Sequence, residues 1–138
     1  MSDPVVVYVD TSALGALLVE EPHSNALTTW LDETSATLVS SDLLETELRR
    51  LAVREHVDHA DVTQLLDGVS LAALDRAVYR NAGFLPMPYL RTLDALHLEA
   101  ANRLDVHAVL TYDRRLQESA RELGFGVIAP GAEPVRPH

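Results

Sequence analysis

Val5-Val6-Val7-Tyr8-Val9-Asp10-Thr11-Ser12 is the stretch on which the fold turns. Five apolar residues in a row, four of them β-branched, suit a strand covered on both faces, as in the interior of a parallel sheet. An acid and two hydroxyl residues follow at once, where such a strand hands over to a helix. Open α/β sheets gather their functional groups just outside the carboxyl ends of their strands. Asp10 therefore stands where a protein of this kind places its chemistry.

Further along, strand and helix signals alternate. Short strands are expected at residues 37–40, 69–72, 108–111 and 127–129. Helices are expected at 12–19, 22–32, 42–56 (starting at Ser41 or Asp42), 58–66, 74–82, 92–104 and 114–123. Pro22 suits a first helical turn, and Gly124 suits the end of the last helix. Gly83 to Pro88 is rich in breakers and reads as a loop. The alternation predicts an α/β fold, a three-layer α/β/α sandwich with a mostly parallel sheet. Its central strand is 5–9 and its edge strand 127–129, and the proline-bearing tail 130–138 is expected to fray.

With 138 residues and 47% hydrophobic content, the sequence fits one domain over 1–138. The absence of cysteine excludes a disulfide framework, a thiolate zinc site and cysteine catalysis, and it agrees with a reducing compartment. The acidic opening and the short apolar run after it match neither a signal peptide nor a membrane span. A cytoplasmic protein with no membrane association is the expectation.

The net charge of −10 sets 21 acids against 11 bases, every one of them arginine. Without lysine the chain lacks the Gly-Lys of a phosphate-binding loop, and likewise the lysine that receiver domains and aspartyl-phosphate phosphatases set beside their acids. Acidity also argues against general, charge-driven nucleic-acid binding, because phosphates must be neutralised by cations. Any such contact must be local, or carried by arginine and bound metal.

Four acids stand out: Asp10, Glu47, Asp94 and Asp113. On a helical wheel Glu47 falls within the arc of Leu43, Leu44, Leu48 and Leu51, whereas Glu45 points away and pairs with Arg49 in the favourable i, i+4 order. Asp94 lies inside the stripe of Leu90, Leu93, Leu96, His97, Leu98, Ala101 and Leu104, with Glu99 and Arg103 turned to solvent. A first-turn cap explains the presence of Asp94 but not its inward direction. Asp10 and Asp113 each also read as ordinary helix caps. His97 reads as a buried, hydrogen-bonded histidine rather than a ligand. His56 and His59, three apart on one helix face, read as solvated. Together the four acids outline an oxygen-only site for a hard ion such as Mg²⁺ or Mn²⁺.

The order and spacing of these pieces resemble the PIN-domain ribonucleases, and among them the VapC toxins of bacterial toxin–antitoxin pairs. The likeness covers nearly the whole chain. It rests on Val7-Tyr8-Val9-Asp10-Thr11-Ser12-Ala13-Leu14, on Glu21-Pro22-His23-Ser24, on Ser41-Asp42-Leu43 through Thr46-Glu47-Leu48, on Leu90-Arg91-Thr92-Leu93-Asp94-Ala95-Leu96-His97-Leu98, and on Leu110-Thr111-Tyr112-Asp113-Arg114-Arg115-Leu116. A typical member carries alanine where Glu99 stands, a position the wheel places in solvent.

The resemblance implies a Mg²⁺- or Mn²⁺-dependent endoribonuclease whose catalytic and metal-holding acids are Asp10, Glu47, Asp94 and Asp113. Thr11, Ser12 and Thr111 would support them as hydroxyls that stand behind the metal-holding acids or hold water. Such hydrolysis needs a water acidic enough to ionise near neutrality and positive charge beside the scissile phosphate, which two ions about 4 Å apart provide. The resemblance also implies an RNA substrate, a VapB-type antitoxin and a homodimer. The alternative is a PIN-like domain that binds RNA or protein without cutting.

Overall fold

A computed structural model describes residues 5–132 of the chain. In chain order the elements are β1 (Val6–Val9), α1 (Thr11–Leu18), α2 (Ser24–Glu33), β2 (Thr37–Ser41), α3 (Asp42–Glu55) and α4 (His59–Leu66). There follow β3 (Ser70–Ala72), α5 (Arg76–Ala82), α6 (Thr92–Arg103), β4 (Ala108–Leu110), α7 (Arg114–Glu122) and β5 (Gly126–Ile128). The strands form one sheet in the order β3-β2-β1-β4-β5, and all four pairings are parallel. β1 is central and β5 lies at an edge, as the sequence predicts.

The period of two along β1 divides the interior. Val7 and Val9 face a core shared with α1, α2, α3 and α4 through Leu14, Leu27, Leu44, Leu48 and Val62. Tyr8 faces the opposite core, with Leu98 of α6 and Leu116 of α7. β1 is thus covered on both sides, which is why its sequence is an unbroken apolar run. The sheet order reverses beside β1, since β2 lies on one side of it and β4 on the other. The crevice beyond that switch point is where α/β sheets bind ligands.

Leu44 and Leu48 on α3 are fully buried, each contributing roughly 1.5–3 kcal/mol. Their stripe sets the rotation of α3, and with it where Glu47 emerges. Gly15 of α1 permits close packing on the same helix: a Cβ there would stand 3.0 Å from Cδ2 of Leu51. α1 and α3 therefore run near enough for their side chains to meet above the sheet.

Four expectations need correction. α2 starts at Ser24 rather than Pro22, because the Ser24 hydroxyl donates to the Ala16 carbonyl at 2.7 Å and accepts from the Glu21 amide at 2.8 Å, closing a turn first. His56 and His59 do not share a helix, since His56 ends α3 in the left-handed region at φ 56° and α4 begins at His59. Glu99 does not face solvent: it is 6% exposed within six consecutive buried residues, Leu96 to Ala101. α6 packs against α5, α7 and β2, so its middle has no open side, and a one-faced wheel misplaces Glu99. Leu93, read as part of the apolar stripe, is exposed instead because it precedes that enclosed part of the helix.

The first residues of the expected frayed tail are held, with the Tyr112 hydroxyl donating to the Pro130 carbonyl at 2.7 Å. The rest of that tail, 133–138, lies outside the described residues.

Candidate active site

β1 delivers Asp10 to the carboxyl edge of the sheet, and β4 beside it delivers Thr111 and Asp113 through the pairing of Val9 with Leu110. Asp10 is 6% exposed and caps α1 by accepting from the Thr11 amide at 2.7 Å. Its other oxygen, Oδ2, accepts from the hydroxyls of Ser12 at 2.8 Å and Thr111 at 2.7 Å. Both hydroxyls are tied in turn: Ser12 Oγ accepts from the Tyr112 amide at 2.9 Å, and Thr111 Oγ1 from the Asp113 amide at 3.1 Å. Asp113 caps α7, accepting from the Leu116 amide at 3.0 Å. The cap readings of Asp10 and Asp113 are therefore correct, and capping does not remove either acid from the edge.

Asp94 enters from the first turn of α6 and is half-buried. Burial, together with the negative charges of Asp113 and Asp10, holds its carboxyl above the usual carboxylate range. Three acids from three segments thus repel one another across a common space. Glu45 and Arg49 form the expected ion pair at 3.0 Å on the outer side of α3.

Glu47 reaches the same edge from the layer opposite α6. Its Oε1 accepts from the Thr11 hydroxyl at 2.9 Å and lies 2.5 Å from Nε2 of His97. Burial would raise the Glu47 carboxyl, but the hydrogen bond and charge of His97, aided by Thr11, prevail and lower it. His97 responds in the complementary direction. Burial disfavours its cation, yet the Glu47 hydrogen bond and the charges of Asp10, Glu47 and Asp94 raise it above the ordinary histidine range. Nδ1 of His97 lies 2.7 Å from the Tyr8 hydroxyl, which in turn meets Ser41 Oγ at 2.9 Å.

The four acids named from the sequence and their three hydroxyl neighbours are thus brought to one place. His97 is indeed buried and hydrogen-bonded, but its contact with Glu47 was not anticipated. Spacing gives no sign of a pair 50 residues apart on helices from opposite layers.

Oxygen donors that repel one another suit a hard divalent cation, which would relieve the repulsion. Among the described residues, no three acid or histidine side chains are already drawn together into a ligand cage. Glu47 is engaged by His97, and Asp10 by three donors.

A groove of about 810 Å³ opens beside the acids, with Gly15 and Ala16 of α1 and Val19 just after it along one side and Leu51, Arg50 and Arg54 of α3 along the other. His23 and Tyr112 also line it, stacked at 3.6 Å. Among the described residues, no helix is long and apolar enough to cross a membrane.

The PIN domain family matches residues 7–122. Ribonuclease VapC47 of Mycobacterium tuberculosis is 37% identical over 134 residues, covering 92% of this chain and 98% of the relative. The chain belongs to the PIN-domain family, in its VapC branch. Solved structures show the same fold. Mycobacterium tuberculosis VapC20, described as a sarcin-ricin loop cleaving toxin, aligns with a TM-score of 0.73 at 15% identity, over 90% of this chain and 99% of that one. A chain of a toxin–antitoxin complex from Klebsiella pneumoniae aligns with a TM-score of 0.70 at 17% identity, over 90% of this chain and 97% of that one.

Proposed function

We propose that this protein is the toxin of a type II toxin–antitoxin pair, a metal-dependent endoribonuclease that hydrolyses RNA phosphodiester bonds. The observation that carries the reading is the meeting of Asp10, Asp94, Asp113 and Glu47 at one sheet edge, from both helical layers, in a chain of the VapC branch. Asp10 and Asp94 would hold Mg²⁺ or Mn²⁺ most directly, with Asp113 and Glu47 completing the set or orienting the attacking water. Bound there, the cation supplies positive charge beside the scissile phosphate and a water acidic enough to ionise near neutrality.

The chain's own residues do the rest. Ser12 and Thr111 fix the Asp10 carboxylate by two hydroxyl hydrogen bonds, so little reorganisation remains when substrate arrives. Thr11 steadies Glu47. Arg50 and Arg54 line the groove beside the acids, where they would neutralise flanking phosphates in an otherwise acidic protein. A VapB-type antitoxin and a homodimeric state belong to the same reading.

The test is incubation of purified protein with total cellular RNA in Mg²⁺, Mn²⁺ or a chelator, followed by mapping of new ends. Discrete cuts that appear with either ion and vanish with chelator are expected. Intact RNA under all three conditions would leave the non-cleaving binding domain as the better account.

A further inference from the structure

His97 is the buried polar group at the site that the four acids do not account for. We propose that His97 is a positioning residue: backed by Tyr8 and Ser41, it fixes the Glu47 carboxylate at the site and stands between it and Asp10. This rests on the nuclease reading above and assigns it a further residue.

The geometry is restrictive. His97 is 1% exposed and sits three residues after Asp94 on α6, so one helix places both groups. Its Nε2 is 2.5 Å from Glu47 and 3.8 Å from Oδ1 of Asp10. Its Nδ1 meets the hydroxyl of Tyr8, a residue of the central strand with no exposed surface. The two rings pack edge to face, with centroids 5.7 Å apart at 72°. Ser41, fully buried at the end of β2, closes the chain of contacts. Ring, hydroxyls and helix thus leave the imidazole one orientation.

Any buried histidine must satisfy its ring nitrogens; what sets His97 apart is that one of its two partners is Glu47, an acid of the site, rather than a group of the core. Glu47 needs such a partner because it reaches in from the far layer on a long, rotamer-rich side chain. Thr11 and His97 both contact Oε1. Among the described residues nothing hydrogen-bonds Oε2, which leaves that oxygen available to a water or a cation. Partners of this kind behind an acid at a metal site are worth about 10–100-fold in metal affinity or activity.

The experiment compares purified wild type with His97→Phe, which keeps the volume but has no donor, His97→Gln, which restores an N–H, and Tyr8→Phe, which removes one remote oxygen. Three quantities are read: kcat and KM on an RNA known to be cut, Mn²⁺ affinity by calorimetry without RNA, and melting temperature. His97→Phe is expected to lose about 10–100-fold in kcat and in Mn²⁺ affinity with KM for RNA unchanged. His97→Gln should recover part of both. Tyr8→Phe should move both the same way by less, and it keeps the test alive if His97→Phe does not fold. Folded variants with wild-type kcat and Mn²⁺ affinity, or losses that follow melting temperature alone with no recovery in His97→Gln, would overturn the positioning role and leave the nuclease standing. A wild type that neither cleaves RNA nor binds Mn²⁺ would remove both readings together.

Discussion

Oδ2 of Asp10 accepts the hydroxyl proton of Thr111 at 2.7 Å, across 101 residues of chain. The contact follows directly from the pairing of β1 with β4, which places the residues after Val9 and Leu110 side by side. Thr111 has no exposed surface, and its hydroxyl also accepts from the Asp113 amide. One hydroxyl therefore orders two of the acids. Thr111→Val is expected to cost about 1–3 kcal/mol, because it strands the partly buried Asp113 amide and removes a donor to a carboxylate. Cleavage should fall with it, while Thr111→Ser should stay near wild type in both. Denaturant titration and initial cleavage rates check this. A valine variant equal to wild type in both would show that the hydroxyl orders neither acid.

Asp10→Asn and Asp94→Asn should both abolish cleavage, yet part company in stability. Asp94 pays for burial and for the neighbouring charges of Asp113 and Asp10. Neutralising it removes that penalty, so the melting temperature without metal should hold or rise. Asp10 instead accepts from a backbone amide and two hydroxyls, and an asparagine, with one acceptor oxygen, cannot satisfy all three. Its melting temperature should fall. Scanning calorimetry in chelator separates the two variants, and a matching rise in both would mean that repulsion outweighs the hydrogen bonds at Asp10.

Glu45 and Glu47 lie two positions apart on α3 and should behave oppositely. Glu47 contacts Thr11 and His97 at the sheet edge, so Glu47→Gln should be inactive. Glu45 only pairs with Arg49 on a partly exposed surface, a contact worth about 0.3–0.5 kcal/mol. Glu45→Gln should turn over RNA at the wild-type rate. Single-turnover assays of the pair decide, and the reverse pattern would mean that α3 presents its other side to the substrate.

Local signals were enough for most of this architecture. The unbroken run before Asp10 can only be a strand covered twice, and the leucines of α3 fix its rotation tightly enough to separate Glu47 from Glu45. Wheel reasoning failed at Glu99 and Leu93 because it assumes one core per helix, whereas α6 is enclosed by α5, α7 and β2 through its middle and open at its start. His97 could be read as buried but not as the partner of Glu47. That contact depends on how two layers converge over the sheet, a property of tertiary packing with no periodic trace in either helix. The late start of α2 was hidden for a related reason, since the Ser24 hydroxyl bonds back to α1.

Arg50 and Arg54 follow Glu47 on α3 at intervals of three and seven residues, which places all three on one face. All three line the groove beside the acids, and neither arginine forms an ion pair among the described residues. With a net charge of −10 working against RNA, two unpaired guanidinium groups beside the site have a disproportionate share of its local attraction. They lie off the reacting groups, so their effect should fall on binding. Arg50→Ala with Arg54→Ala is expected to raise KM for RNA while kcat remains close to wild type. The slope of log affinity against log salt should flatten by about 0.7–1 for each arginine removed. RNA binding in chelator, measured across a salt series for wild type and both single variants, gives that slope without any cleavage. An unchanged slope would place the RNA path on another face of the protein, away from α3.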